Sequence, residues 1–298
     1  MFVLAHLSDP HLAPLPPPRL TELVGKRALG YVNWRRKRHK IHRTEQLDAL
    51  VRDLKAQAPD HVAVTGDLVN LALDAEFAQA RAWLHRLGSP HDVTLVPGNH
   101  DAYVPAALAA HAAYWHDFMR EDGANSPSLR FPFVRRRAPL ALIGLSSAVP
   151  TGPFMATGRL GAEQIGRLEQ VLGDCAGRCR VILIHHPPLG PRRDRFKRLV
   201  DAAELRAVLR RCGAELVLHG HHHVHALEWL DGPAGPIPAL GVPSASAADD
   251  RDGDLAAYNL YRIEERDGAW HCTAVTRGMR DNSGEVVALA QRDLTLPA

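Results

Sequence analysis

Aspartate, histidine and asparagine recur in this chain directly after short apolar runs, and these are the side chains that bind divalent cations. They stand at Asp9-Pro10-His11, Gly66-Asp67, Gly98-Asn99-His100-Asp101, His185-His186-Pro187-Pro188 and Gly220-His221-His222-His223. Carboxylate, amide oxygen and imidazole together suit borderline ions such as manganese, iron, zinc or cobalt. A pair of such ions bridged by one aspartate is an arrangement that hydrolyses phosphate esters. Each cluster alone reads equally well as a turn, through the backbone freedom of Gly-Asp and Gly-Asn or the rigidity of His-His-Pro-Pro. Their shared place at the end of an apolar run is what turns do not explain.

Those runs predict five strands, Phe2 to Leu7, His61 to Thr65, Val93 to Pro97, Val181 to Ile184 and Glu215 to Leu218. Helical spacing separates them. Thr44 is placed to cap a helix through about Gln57, whose Leu47, Leu50, Val51 and Leu54 form one apolar face. Phe77, Ala80, Trp83, Leu84 and Leu87 mark another. Pro105 to about Arg120, Gly161 to Leu172 and Ala202 to Arg211 also read as helices. Further strands are expected around Phe131 to Val134, Leu140 to Leu145, Val224 to Leu230, Ile237 to Val242, Tyr258 to Ile263 and Trp270 to Thr276. Alternating strands and helices argue for an α/β sheet, and the late run of strands for a second sheet. In an open α/β sheet the loops at the carboxyl ends of strands lie along one edge, where ligands bind. The best linker, Gly123 to Pro127, is short, so residues 1–298 are read as one domain.

Composition excludes several classes. The chain has 298 residues, 46% hydrophobic and 23% charged, with a net charge of +3, which is ordinary for a globular protein with a large core. Cys175, Cys179, Cys212 and Cys272 match no zinc ribbon or finger and read as thiols of a reducing compartment. No run approaches a membrane span, and the N-terminus lacks the basic flank and apolar stretch of a signal peptide. The expected location is the cytoplasm or the periphery of a membrane. No Gly-rich P-loop is present, so triphosphate-driven chemistry is set aside.

The ordered series Asp9-x-His11, Gly66-Asp67, Gly98-Asn99-His100-Asp101, His185-His186-Pro-Pro and Gly220-His221-x-His223 resembles the calcineurin-like metallophosphoesterase superfamily, and within it the bacterial phosphodiesterase branch. The resemblance spans about residues 5–225. It implies a four-layer αββα sandwich of two mixed β-sheets flanked by helices. It also implies two divalent metal ions, one held by Asp9, His11 and His223, the other by Asn99, His185 and His221, with Asp67 bridging. His100 would then contact the phosphate and assist the leaving group, through a positive hydrogen bond or a proton. Asp101 either orients His100 or caps a helix. A hydroxide between the metals would attack phosphorus in line with the leaving oxygen. His186, His219, His222 and His225 are read as supporting or structural. His39, His42, His61, His85, His91, His111, His116 and His271 are given no role.

Substrate is the open question, because fold and metals do not choose one. Residues 25–43 contain no acid and many bases, and the loop after His-His-Pro-Pro carries Arg192, Arg193, Arg195, Lys197 and Arg198. Leu29, Tyr31, Val32 and Trp34 interleave with the bases of the first run. Residues 20–43 are therefore expected to form a basic amphipathic insertion beside the metals. It would meet an anionic membrane surface or a lipid-like phosphodiester through Trp34, Arg35 and Arg36, an arrangement analogous to that of the UDP-diacylglucosamine hydrolases. Single-stranded nucleic acid is the alternative partner. A diphosphate hydrolase of that type, a cyclic-nucleotide phosphodiesterase and a nuclease are the alternative activities. A phosphate-binding module is the alternative without catalysis.

Overall fold

The strand carrying the first motif, β1 (Phe2–Leu7), is almost wholly buried in the computed structural model of the chain. The structure describes residues 1–297 except 125, 127, 191–194, 251, 252 and 282. Arg192 and Arg193 therefore lie outside the described residues, as does part of the 123–127 stretch. After β1 come α1 (Lys26–Asn33), a π-helical turn (Trp34–Arg38), a last helical turn α2 (His39–Ile41) and α3 (Thr44–Ala56). Then follow β2 (His61–Val64), α4 (Asp74–Leu87), β3 (Val93–Leu95) and α5 (Ala107–Trp115). The second half holds β4 (Phe133–Arg137), β5 (Leu140–Gly144), α6 (Ala162–Asp174), β6 (Cys179–Leu183), α7 (Ala202–Cys212) and β7 (Leu216–His219). It ends with β8 (Ala226–Leu230), β9 (Ile237–Gly241), β10 (Ala257–Arg266), β11 (Ala269–Met279) and β12 (Val286–Thr295).

These strands form two mixed six-stranded sheets, ordered β12-β11-β10-β1-β2-β3 and β4-β5-β6-β7-β9-β8. β1 pairs parallel with β2 and antiparallel with β10. In the second sheet successive residues divide between two cores. Leu140, Leu142, Val181 and Leu183 join a core shared with the first sheet. Ala141, Ile143 and Ile182 pack with Leu168, Leu172, Leu205 and Leu209 of α6 and α7. Burial on both faces is why these strands read as continuous apolar runs. Leu47, Leu50 and Leu54 of α3 and Phe77, Trp83 and Leu84 of α4 join the core of the first sheet. The protein is thus α/β, two mixed sheets flanked by helices.

Four expectations need correction. Thr44 is the first residue of α3 and not its cap: its hydroxyl donates to the Ala13 carbonyl at 2.7 Å. The helix expected over 105–120 is shorter, with α5 followed by a 3₁₀ turn at His116–Phe118. β12 was not anticipated. As an edge strand with many exposed residues it lacks an apolar alternation to read. Trp34 does not face outward with Arg35 and Arg36. It stacks on Tyr31 with ring centroids 6.3 Å apart, and both rings pack against Leu15, Leu71 and Leu73.

Candidate metal centre

The five motif loops meet at one edge of the two sheets, and their backbones are bent to do it. Asp9, His11, Asp67, His221 and His223 all have positive φ, at 52°, 36°, 57°, 75° and 57°. Such values are uncommon for residues other than glycine and gather at functional sites. Only four other non-glycine residues among those described share the property, so this conformation is concentrated in the motifs. Two glycines are needed for the loops to close. A Cβ at Gly98 would press into the Asp67 carboxylate, and one at Gly220 into Ser8 and Asp9.

Asp9, His11 and His223 form one group of converging ligand atoms, and Asp9, Asp67 and His185 another. Asp9 Oδ1 lies 3.1 Å from His223 Nε2 and 3.9 Å from His11 Nε2. Asp67 Oδ2 lies 3.4 Å from His185 Nε2 and 3.8 Å from His11 Nε2, so this carboxylate stands between the two groups. Asn99 Oδ1 is 3.1 Å from the same nitrogen of His185. His221 gathers with His185 and His186.

The backbone fixes which nitrogen of each ring is free. His11 Nδ1–H donates to the Val69 carbonyl at 3.2 Å and His185 Nδ1–H to that of Thr65 at 2.7 Å. Each leaves Nε2 turned to the carboxylates. His221 Nε2–H donates to Lys197 O at 2.7 Å, which leaves its Nδ1. His186 is different, because both of its nitrogens are engaged, Nδ1 with Ser147 Oγ at 2.7 Å and Nε2 with Ala156 O at 3.1 Å. These bonds tie it to the segments that carry Ser147 and Ala156.

The electrostatics describe a site short of positive charge. Burial opposes ionisation of Asp9 and Asp67, yet the imidazoles around them hold both carboxyls below the usual range. Burial likewise opposes protonation of His185, but the Asp67 and Asp9 carboxylates pull it up to about 9. Three acceptors, Asp67 Oδ2, Asn99 Oδ1 and the His185 lone pair, thus converge where only a proton satisfies them. A divalent cation fits that donor set better than a proton does.

His100 stands at the mouth of this site. Its N–H donates to Asp67 Oδ1 at 2.7 Å and its Nδ1–H to Asn70 O at 2.7 Å. Burial and the neighbouring Arg38 charge lower His100 to about 3, so the ring is neutral here. A residue the sequence reading did not single out meets this ring. Arg38, at the end of the π-helical turn, places Nη1 2.7 Å from His100 Nε2 and Nη2 2.9 Å from His11 Nε2. Asp101 is also corrected. Its carboxylate does not orient His100. It accepts the backbone N–H groups of Asp67, Leu68, Val69 and Gly98 at 2.8–3.2 Å, which ties the Asp67 loop to the Asn99 loop. His42, given no role from sequence, is buried with its ring centroid 4.4 Å from that of His11 and its Nδ1 2.9 Å from Ser246 Oγ.

The chain is 27% identical over 230 residues to a probable cyclic nucleotide phosphodiesterase of Synechococcus, covering 76% of this chain and 80% of that protein. It is 27% identical over 194 residues to the glycerophosphodiester phosphodiesterase GpdQ of Enterobacter lignolyticus, covering 63% of this chain and 58% of the relative. Among solved structures, a dimetal phosphatase from Danio rerio superposes with a TM-score of 0.62 at 13% identity, over 99% of this chain and 98% of that one. A purple acid phosphatase from yellow lupin gives 0.63 at 11% identity, over 99% of this chain and 53% of that one. At such identity the two structures speak for the fold alone. The sequence model described as calcineurin-like phosphoesterase matches residues 2–225, the span that contains every motif above. The chain belongs to the calcineurin-like phosphoesterase family and is a metal-dependent phosphoester hydrolase.

Proposed function

We propose that this chain is a phosphodiesterase with two divalent cations, one at Asp9, His11 and His223, the other at Asn99, His185 and His221, and Asp67 between them. The observation that carries the reading is the position of Asp67 Oδ2 between His185 Nε2 and His11 Nε2, with each ring anchored through its far nitrogen. Manganese, iron, zinc and cobalt all suit such donors. Bound there, the cations supply Lewis acidity and a water of lowered pKa. The chain's own residues do the rest. Asn70 O fixes the His100 tautomer, so that its Nε2 faces the cleft beside the departing oxygen. Arg38 supplies the positive charge there as the P–O bond breaks. Residues 1–298 act as one unit, supported by a hydrophobic core that holds side chains of both sheets. Both relatives named above are phosphodiesterases, which favours a phosphodiester as substrate.

Stripping the protein with a chelator is expected to lower hydrolysis of an aryl phosphodiester by roughly 10²-fold or more, since metal Lewis acidity accounts for several kcal/mol. Adding one of the four metals should restore it. Full activity after chelation overturns the proposal. A protein that unfolds on chelation without ever having been active supports the phosphate-binding module instead.

The outer face of the insertion favours a second reading, recruitment to an anionic membrane. Leu20 is 88% exposed, Val24 65% and Val32 46%, and Arg35 and Arg36 of the same insertion are exposed too. Apolar side chains among bases suit a membrane surface. Among the described residues no helix is long and apolar enough to cross a membrane. Co-sedimentation with phosphatidylserine vesicles is expected for the wild type. It should be lost when Val24→Ser is combined with Arg35→Glu and Arg36→Glu. A wild type that ignores the vesicles but binds single-stranded DNA sinks this reading.

A further inference from the structure

Beside the metal cleft, on the side of His100, lies a second chamber of about 380 Å³. Asn33, Arg38, Asn99, His100 and Ala156 line both spaces, so the chamber opens onto the cleft. Its size falls within the range of about 300–1,000 Å³ usual for small-molecule sites. Its roof is α1 and the π-helical turn, which bring Leu29 and Trp34. Its floor is Leu71 and Tyr103, and Phe154 and Met155 close one side. Gly30 is what lets the roof sit so low: a Cβ there would come within 2.7 Å of Leu71 Cδ2 and collide with the Tyr103 hydroxyl. Tyr103 stacks on His100 with ring centroids 5.3 Å apart and an interplanar angle of 18°, so the ring at the floor of the chamber also backs the imidazole at the cleft.

Lys26 sets a polar limit to this apolar space. Its Nζ lies 4.5 Å from the Tyr103 ring centroid, 2.8 Å from Thr151 Oγ1 and 3.2 Å from the Met155 carbonyl. Those bonds account for two of the three ammonium N–H groups. The three ordinary kinds of alcohol fit unequally. A glyceryl group would leave the aromatic walls without a partner. A long-chain aliphatic alcohol would end against the ammonium. A flat ring with an acceptor on its far edge meets both the walls and Lys26.

We infer that the chamber receives the departing alcohol of the phosphodiester and selects alcohols built on a flat ring with a hydrogen-bond acceptor on its outer edge. The inference rests on the phosphodiesterase reading and names its substrate class.

Phosphonates test it without turnover, because their P–C bond is not hydrolysed. Calorimetry on the metal-loaded protein is expected to show 4-nitrobenzylphosphonate binding on the order of tenfold to a hundredfold more tightly than methylphosphonate, the gain from burying one ring. Leu29 is 49% exposed, so Leu29→Trp fills the chamber without disturbing a core. It should abolish the preference and leave methylphosphonate affinity unchanged. Lys26→Met should remove the advantage of 4-nitrobenzyl over unsubstituted benzyl. Equal affinities in the wild type, or a Leu29→Trp variant that keeps the preference or weakens both ligands alike, overturn the inference. Absence of metal-dependent turnover of any phosphodiester, with the phosphonate preference intact, defeats the phosphodiesterase reading and leaves the ring site standing.

Discussion

Asp67→Ala is expected to lower kcat/KM for an aryl phosphodiester by about 10³-fold or more, with the fold retained. Lewis acidity is worth several kcal/mol, and each ~1.4 kcal/mol is a factor of ten in rate. Asp67 is the side chain best placed to involve both halves of the site, through Oδ2 near His185 and His11. Its other oxygen holds the His100 N–H, so the same substitution also frees the loop that carries His100. Metal content by plasma mass spectrometry should fall below two ions per chain, and circular dichroism should stay unchanged. A variant with normal activity and two ions would show that Asp67 does not bridge.

Arg38→Ala is expected to cost on the order of 10²–10³ in kcat, the usual worth of a placed charge on the transition state, while metal content stays at the wild-type level. In the structure the guanidinium rests on the neutral nitrogens of His11 and His100. A cation at the His11 site would repel it, and an anionic phosphate in the cleft would then be its natural partner. Arg38→Lys should recover only part of the loss, because an ammonium is a point charge without the two-pronged geometry of a guanidinium. An unchanged kcat in Arg38→Ala overturns the assignment. Loss of metal with the activity would place Arg38 among the groups that build the site.

Where the sequence was legible, the physics was local. An apolar run followed by Asp, Asn or His marks a buried strand delivering a polar loop, and all five such runs end at the same edge. Asp9, His11 and His223 converge there, as do Asp9, Asp67 and His185. Arg38 could not be read this way. It is one of several bases in an acid-free run, and only the π-helical turn sets its side chain towards His11 and His100. Asp101 failed for a related reason. Adjacency to His100 suggested a partnership, but consecutive residues of a turn point apart, and four backbone N–H groups claimed the carboxylate. His42 lies at the far end of the basic run and reaches the cleft only through the folded helix. Positive φ at Asp9, His11 and Asp67 leaves no trace in residue type, since the chain uses ligands there and not glycine.

The pairing of β1 carries a consequence for how the chain leaves the ribosome. β1 is an interior strand only because β10 returns to it, from Phe2↔Ile263 to His6↔Asn259. The hydroxyl of Ser244, which donates to the Asp9 carbonyl at 2.6 Å, arrives just as late. A nascent chain that has already emitted every motif, through His223, still presents one side of β1 as a row of unpaired N–H and C=O groups. Such an edge is a template for pairing with another chain. The stretch that holds all the chemistry is therefore not the stretch that can stand alone, and its protection during synthesis depends on β10, a strand that carries no motif.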